Sequence, residues 1–584
     1  MNNSSKKING IKCNYRLATI SFSVLLGLTA CNQSSNKMSE KANDEKKQQS
    51  EAIVIIQSKQ ETNARVNDAI QADVQTRRRL APVSYAAQPQ GLMLSNVMIE
   101  KRPDPSNHIV FSTEQDREKY IKSQQNPVKQ AAIEPVSTFS VDVDTGSYSN
   151  VRRILNAGKL PPVDAVREEA FINYFSYDYS APTSIDTPFN VHTELGIAPW
   201  DERRQLVKIG IKGFEIEKAD LKAANLVFLL DVSGSMNTPD KLPLLKTSLA
   251  MLTKQLDEND SVAIVVYAGA AGVVLPATKG NDHQAITTAL KQLAAGGSTN
   301  GEQGIELAYQ IAQQNFKKEG VNRVILATDG DFNVGLQSTE ALKALVADKR
   351  KTGIALTTLG FGQGNYNDGL MEQLANIGNG QHAYIDNINE ARKVLVDELS
   401  STMQIIAKDV KIQVEFNPQQ VAEYRLIGYQ NRLLATEDFN NDKVDAAELG
   451  AGHTVTALYE ITLANSPNKR IDDLRYKTTQ HKSNDSQELA FVKVRYKQPN
   501  SERSELISTP VFMPKNDSDW LDTSTDFKFA TAVAGFAQLL KGAKYTSDWH
   551  YEDCAKLAIK NKGNDPFGYR SEFIQLVKTA DVLH

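Results

Sequence analysis

The chain has 584 residues, a formal net charge of −4 at pH 7 and three cysteines. Its 66 basic side chains form no long block among the 70 acidic ones, which excludes an obvious nucleic-acid-binding surface. The eight histidines lack the H-x-x-x-H spacing of zinc sites, and neither a G-x-S-x-G elbow nor a phosphate-binding G-x-x-x-x-G-K-[ST] loop occurs. The sequence therefore predicts no enzyme.

Residues 1–30 have the composition of an export signal. Basic side chains precede an apolar stretch, 17–28, that is too short to span a bilayer as a permanent helix. Leu28-Thr29-Ala30-Cys31, which ends this stretch, resembles the bacterial lipoprotein box, in which the cysteine becomes the lipidated first residue. The residue after Cys31 is Asn32 rather than Asp, which in lipoproteins disfavours retention in the inner membrane. The resemblance therefore implies a lipid on Cys31 and an envelope protein at the outer membrane, facing the periplasm.

Residues 31–96 are rich in Lys, Glu, Gln, Asn and Ser and contain few aromatic residues. Such a segment buries too little apolar surface to offset the entropy lost on ordering. We expect a disordered polar tether between the lipid and the globular body.

Residues 97–221 form a predicted accessory domain. Alternating Phe139, Val141 and Val143 indicate a half-buried strand, and a helix is predicted over 148–155. The intervening Asp144-Thr145-Gly146 has the sequence found at aspartic-protease active sites, where two carboxylates share a proton. No second D-T-G occurs in the chain, so we do not assign protease chemistry to it.

An uninterrupted apolar run, 226–230, leads directly into Asp231-Val232-Ser233-Gly234-Ser235. The run is typical of a parallel strand buried on both faces, and ligands bind at the carboxyl ends of such strands. One carboxylate and two hydroxyls are hard oxygen ligands, which suit Mg²⁺ or Ca²⁺ and not zinc. For an isolated D-x-S-x-S, a turn that caps the next helix is the alternative.

Two further segments favour the metal site. A second apolar strand, 322–328, ends at Asp329. Between the two strands, a glycine-rich loop at 296–301 contains Thr299, and glycine allows its backbone to approach an ion closely.

These elements, in this order, resemble the von Willebrand factor type A (VWA) family. Its metal-ion-dependent adhesion site consists of D-x-S-x-S, a loop threonine and a strand-end aspartate. The resemblance implies that Ser233, Ser235 and Thr299 bind the ion directly. Asp231 and Asp329 would act mostly through water or by supporting the direct ligands.

Residues 222–402 read as this α/β fold independently of the motif, because strands alternate with helical patterns. We expect a Rossmann-like, mainly parallel central sheet. The link from Tyr267 to Val273 is too short for a parallel crossover, so the next strand should be an antiparallel edge strand. The predicted helices cover 242–256, 286–293, 305–316, 370–377 and 391–399, and the predicted strands 261–267, 273–275, 354–360 and 382–385.

Residues 403–584 form a predicted C-terminal domain, with a small β-sheet followed by helices. The strand patterns cover 410–416, 453–463 and 488–496, and the helical ones 527–540, 555–559 and 573–582. Stretches on both sides of the central region resemble the accessory N-terminal and C-terminal domains of a family of bacterial VWA lipoproteins. These stretches are 160–167, 172–175, 425–432 and 450–454.

The resemblance implies metal-dependent protein binding at the cell envelope. The expected ion is Mg²⁺, with Mn²⁺ or Ca²⁺ as alternatives, and an Asp or Glu of a protein partner would complete its shell. The alternative function is a structural or assembly lipoprotein, in which the metal only stabilises the loops.

The predicted lipid anchor can be tested at Cys31. A single acyl chain anchors a protein only marginally, whereas a lipoprotein amino terminus carries more than one. Cys31→Ser should therefore release the protein from membranes on fractionation. Continued membrane association of this variant would show that another anchor exists.

Overall fold

The computed structural model describes residues 118–122, 124–141, 144–298, 301–330, 339–364, 366–472 and 487–584. The predicted export signal, Cys31 and the tether lie outside the described residues, and so does Thr299. In the part of the chain that is described, no helix is both long and apolar enough to cross a membrane.

Strands and helices are numbered here in chain order within the described residues. The strands are β1 Lys129–Gln130, β2 Val136–Ser140, β3 Phe189–Ile197, β4 Gln205–Gly213, β5 Ala224–Asp231, β6 Ser261–Tyr267, β7 Ala271–Lys279, β8 Val321–Thr328, β9 Ala355–Phe361, β10 His382–Ile385, β11 Ile405–Phe416, β12 Val421–Ile427, β13 Ala447–Gly450, β14 Thr454–Leu463, β15 Glu488–Lys497 and β16 Ser504–Phe512. The helices are α1 Gly146–Asn156, α2 Glu168–Asn173, α3 Leu242–Thr253, α4 His283–Gln292, α5 Gly301–Gln314, α6 Thr339–Arg350, α7 Asp368–Ile377, α8 Ile388–Arg392, α9 Leu399–Met403, α10 Thr525–Leu540, α11 Tyr551–Lys560 and α12 Tyr569–Leu583.

The α/β region contains a six-stranded sheet with the order β10-β9-β8-β5-β6-β7. All neighbouring pairs are parallel except β6 and β7, which pair antiparallel. The predicted mainly parallel sheet with one antiparallel edge strand is therefore confirmed.

Strand β5 lies in the middle of this sheet, and every one of its residues is buried. Leu226, Phe228 and Leu230 pack on one face with the leucines of α3, while Val227 and Leu229 pack on the other with α5. Because helices cover both faces, the strand is apolar at every position, without the alternation of a half-exposed strand.

The end of the α/β region differs from the single helix predicted over 391–399. A short helix, α8, is followed by a π-helical turn over Lys393–Asp397 and then by α9. Lys393 is buried at this turn, where its ammonium pairs with Glu398 and lies 4.5 Å from the centre of the Tyr174 ring. The contact with Tyr174 involves a distant segment, so local periodicity does not reveal the interruption.

Residues 97–221 and 403–584, predicted as separate flanking domains, share two antiparallel sheets. One sheet has the order β1-β12-β14-β4-β3, and the other contains β13, β11, β15 and β16, with β2 also paired to β11. Their inner faces form one apolar core. The predicted C-terminal sheet is therefore completed by N-terminal strands, and β3 and β4 were not predicted. The pairing of β4 with β14 and of β2 with β11 spans more than 200 residues of chain and leaves no local pattern.

A buried ion cluster joins this flanking structure to the α/β region. Arg152 of α1 is 1% exposed, and its guanidinium contacts Asp386, Glu390 and Glu572, at 2.7 Å for Glu390 and 2.9 Å for Glu572. It also donates to the Tyr174 hydroxyl at 2.8 Å. One arginine thus compensates carboxylates from both sides of the interface.

Removal of Arg152 should destabilise the protein strongly, because it leaves buried carboxylates without their cation. We expect Arg152→Met to lower the free energy of unfolding by about 3–5 kcal/mol at pH 7, measured by urea denaturation. Arg203→Met is the control. Its ion pair with Asp201 is on a side chain that is 59% exposed, so the stability of this variant should stay close to that of the wild type.

The loss at Arg152 should also depend on pH. Burial raises the pKa of Asp386, and Arg152 opposes this increase. In the variant the folded-state pKa should rise further, so the folded form binds the proton more tightly than the unfolded chain. Stability is then lost as pH rises through the folded-state pKa, and the deficit should be smaller at pH 5 than at pH 8. A deficit that does not change with pH would contradict this account.

Candidate functional site

The candidate site lies where the adjacent parallel strands β5 and β8 end. Leu230 of β5 pairs with Ala327 of β8, so Asp231 and Asp329 emerge beside each other at the carboxyl edge of the sheet. Both aspartates are buried, at 0% and 1% exposure. The structure therefore brings together the two strand ends that the sequence predicts to form the site.

The carboxylate of Asp231 is held by hydrogen bonds on both oxygens. Oδ1 accepts from the backbone N–H of Ser233 at 2.9 Å, and Oδ2 accepts from the Thr328 hydroxyl at 2.9 Å and from the Tyr267 hydroxyl at 3.4 Å. Burial raises the pKa of Asp231, and the nearby charge of Asp329 raises it further. With both oxygens engaged, this side chain is suited to shape the loop and to hold a metal-bound water.

Two serine hydroxyls lie side by side in the same loop. The Oγ atoms of Ser233 and Ser235 are 3.1 Å apart, and Ser233 is buried while Ser235 is half-buried. Adjacent ligands of an octahedral Mg²⁺ at about 2.05 Å are roughly 2.9 Å apart. The two oxygens therefore have a separation that a single small cation can bridge.

The glycine-rich loop is bonded to the serine loop. Gly296 N donates to Val232 O at 2.7 Å, and Gly234 N donates to Gly297 O at 3.1 Å. Gly297 has φ +87°, a conformation that glycine adopts without strain. Thr299 lies outside the described residues, but the loop that leads to it is fastened to the D-x-S-x-S segment.

Lys241 is part of this site and was not predicted. Its Nζ lies 3.0 Å from Asp329 Oδ2, and the two side chains are 8% and 1% exposed. The lysine directly precedes α3, where the helix dipole disfavours a positive charge. That unfavourable position was the one signal in the sequence that could have revealed it.

The donor set fits a hard divalent cation. Within the described ranges, no group of three or more His, Cys, Asp or Glu side chains is placed to hold a metal ion. The site instead combines two carboxylates with serine hydroxyls, and such oxygen-only donors suit Mg²⁺ or Mn²⁺.

The Asp144-Thr145-Gly146 segment has a structural role elsewhere. Asp144 Oδ1 accepts from the backbone N–H of His382 at 2.8 Å, and Oδ2 accepts from Arg432 at 3.2 Å. Its carboxylate thus joins the start of β10 to a C-terminal loop.

Three family models match the chain. The von Willebrand factor type A domain matches residues 225–397, the C-terminal domain described as that of uncharacterized protein YfbK matches 401–583, and a model described as von Willebrand factor matches 114–208. The first contains the candidate site. The VWA fold often mediates protein interactions.

Relatives support the same assignment over a longer stretch. The chain is 46% identical to uncharacterized protein YfbK of Escherichia coli (strain K12) over 471 residues, which cover 79% of this chain and 81% of that protein. It is 24% identical to uncharacterized protein sll0103 of Synechocystis sp. over 345 residues, covering 58% and 77%. A solved von Willebrand factor type A structure from Catenulispora acidiphila is 14% identical, covers 69% of this chain and 91% of its own, and gives a TM-score of 0.39. The 46% identity over most of both chains shows that this chain belongs to the YfbK family of VWA-domain proteins.

Proposed function

We propose that this protein is a lipid-anchored envelope protein that binds a protein partner through a divalent metal at the VWA site. Ser233, Ser235 and Thr299 would hold the ion directly, and Asp231 and Asp329 would hold its waters. The observation that carries the proposal is the pair of serine oxygens 3.1 Å apart, supported from beneath by the buried Asp231 carboxylate.

Few protein oxygens would bind the ion, so some of its octahedral positions would be left to water or to a ligand. An Asp or Glu side chain of the partner has the charge and the hardness to take one of them. The metal would then supply much of the affinity, while the surrounding loops select the partner.

The alternative, an ion that only stabilises the loops, is less well supported. The two loops already exchange backbone hydrogen bonds, from Gly296 to Val232 and from Gly234 to Gly297. Asp231 is satisfied by Ser233 and Thr328. Since protein groups already supply these contacts between the loops, the metal is better explained as a ligand-binding group.

The metal site can be tested by calorimetry on the full chain in detergent with Mg²⁺ and Mn²⁺. Ser235→Ala removes a half-buried hydroxyl without leaving a large cavity, and we expect it to weaken metal binding at least about tenfold, or about 1.4 kcal/mol. Asp231→Ala should weaken it further. Equal metal affinity in the wild type and both variants would refute the site.

Partner binding can be tested by pull-down from an envelope extract in excess Mg²⁺. Capture of the partner should be lost in EDTA and weakened in Thr299→Ala, because this variant removes one proposed ligand of the ion. Thr288→Ala, an exposed threonine on α4, is the matched control and should leave capture unchanged. Capture that survives both EDTA and Thr299→Ala would place the binding surface in another part of the molecule.

A further inference from the structure

We infer that Lys241 sets the net charge of the metal site, so that the metal-bound site favours an anionic ligand. This inference rests on the proposed function, and it assigns to one side chain the selectivity for a carboxylate. Lys241 would not bind the metal or the partner. Its ammonium would stay on Asp329 and act through its charge.

The position of Lys241 is built into the fold. Its side chain runs across Gly362, where a Cβ would lie only 2.8 Å from Cδ of the lysine and closer still to Cγ and Cε. Gly362 has φ +72°, so both its conformation and the passing lysine require glycine. The backbone of Lys241 is fixed as well, since its N–H donates to Thr238 O at 3.1 Å and its carbonyl accepts from Leu245 N at 2.8 Å.

The lysine also occupies a place where an isolated ammonium would be costly. It is buried, and burial of an unpaired charge is unfavourable. Its ion pair with Asp329 Oδ2 at 3.0 Å offsets that cost. The contact is compatible with a metal nearby, because Asp329 is expected to act on the ion through water rather than as a direct ligand.

The formal charges then decide which ligand the site prefers. Asp231, Asp329 and Lys241 together carry −1, and a divalent ion changes the total to +1. A partner carboxylate brings it to zero. Without the lysine charge, the two aspartates and the ion are already neutral, and a carboxylate would leave the site at −1.

The charge of Lys241 should therefore have opposite effects on the metal and on the ligand. It repels the divalent ion and so weakens metal binding, but it attracts the carboxylate that completes the shell. One unit charge a few ångströms from a divalent ion changes its affinity by about tenfold even in a water-like dielectric. The partner, in this account, presents an acidic side chain rather than a neutral oxygen.

Lys241→Met tests both effects, because it keeps the aliphatic stem against Gly362 and removes the charge. Using the full chain in detergent, we would measure Mn²⁺ affinity by calorimetry. We would then measure the paramagnetic relaxation of acetate methyl protons by protein-bound Mn²⁺, which reports carboxylate binding at the metal. The expected result is Mn²⁺ affinity about tenfold higher than in the wild type and acetate affinity about threefold lower, because acetate carries half the charge of the ion.

Lys254→Met is the control for a general loss of positive charge. This lysine is exposed at the other end of α3, and its replacement should change neither quantity. Lys241→Gln is the second test variant, since its amide can still donate to Asp329 without carrying a charge. It should behave like Lys241→Met in both measurements.

The outcomes separate this inference from the proposed function. If the wild type does not bind Mn²⁺, the proposed metal site is wrong. If the wild type binds Mn²⁺ but both Lys241 variants match it in metal and acetate affinity, the inference is overturned and the metal site stands. Unfolding of both variants would make Lys241 a structural counter-ion and would also overturn the inference.

Discussion

Two buried aspartates lie side by side at the carboxyl edge of a parallel sheet. The cost of burying their negative charges has to be offset by nearby groups. Asp231 is compensated by hydrogen bonds from Ser233 and Thr328, and Asp329 by the ammonium of Lys241. The positions of these partner residues are set by the strands and the helix next to them. The geometry of the candidate metal site thus follows from the contacts that stabilise these two buried charges.

Compensation of buried charge also joins the central α/β region to the structure around it. Arg152 contacts carboxylates of the α/β region and of α12, and Arg432 contacts both Asp144 and Glu372. Such clusters add little to stability in comparison with a well-packed apolar interface, but the loss of one partner is costly. The buried ion clusters therefore favour one arrangement of the α/β region and the flanking segments over others. Asp144 of the D-T-G segment takes part in one of these clusters through Arg432.

The candidate site and the shared sheets meet different requirements. The candidate metal site needs strand ends that are close in the sheet and loops held by a few hydrogen bonds. The antiparallel sheets need strands from both sides of the α/β region, such as β4 and β14, whose residues Lys208 and Leu458 are paired. The α/β region thus lies in the chain between two segments whose strands pair with each other.

The sequence alone determined the central sheet and the two strand ends of the candidate site. Buried parallel strands are apolar at every position, so β5 and β8 could be recognised, and the residues that follow them reach the same edge. The predicted bounds of β6 and β10 agree with the structure for the same reason, since each strand is a short run set off from its neighbours. These strands could be predicted because their patterns are local in the sequence.

Only the tertiary structure decided the features that depend on distant residues. The pairing of β2 with β11 and of β4 with β14 joins segments on opposite sides of the α/β region, and no periodicity encodes such pairing. The π-helical turn at Lys393–Asp397 accompanies a contact with Tyr174. In the sequence, Lys241 is distinguished only by its unfavourable position before a helix. Its contact with Asp329 exists because the open space at Gly362 lets the side chain pass, and that space is made by folding.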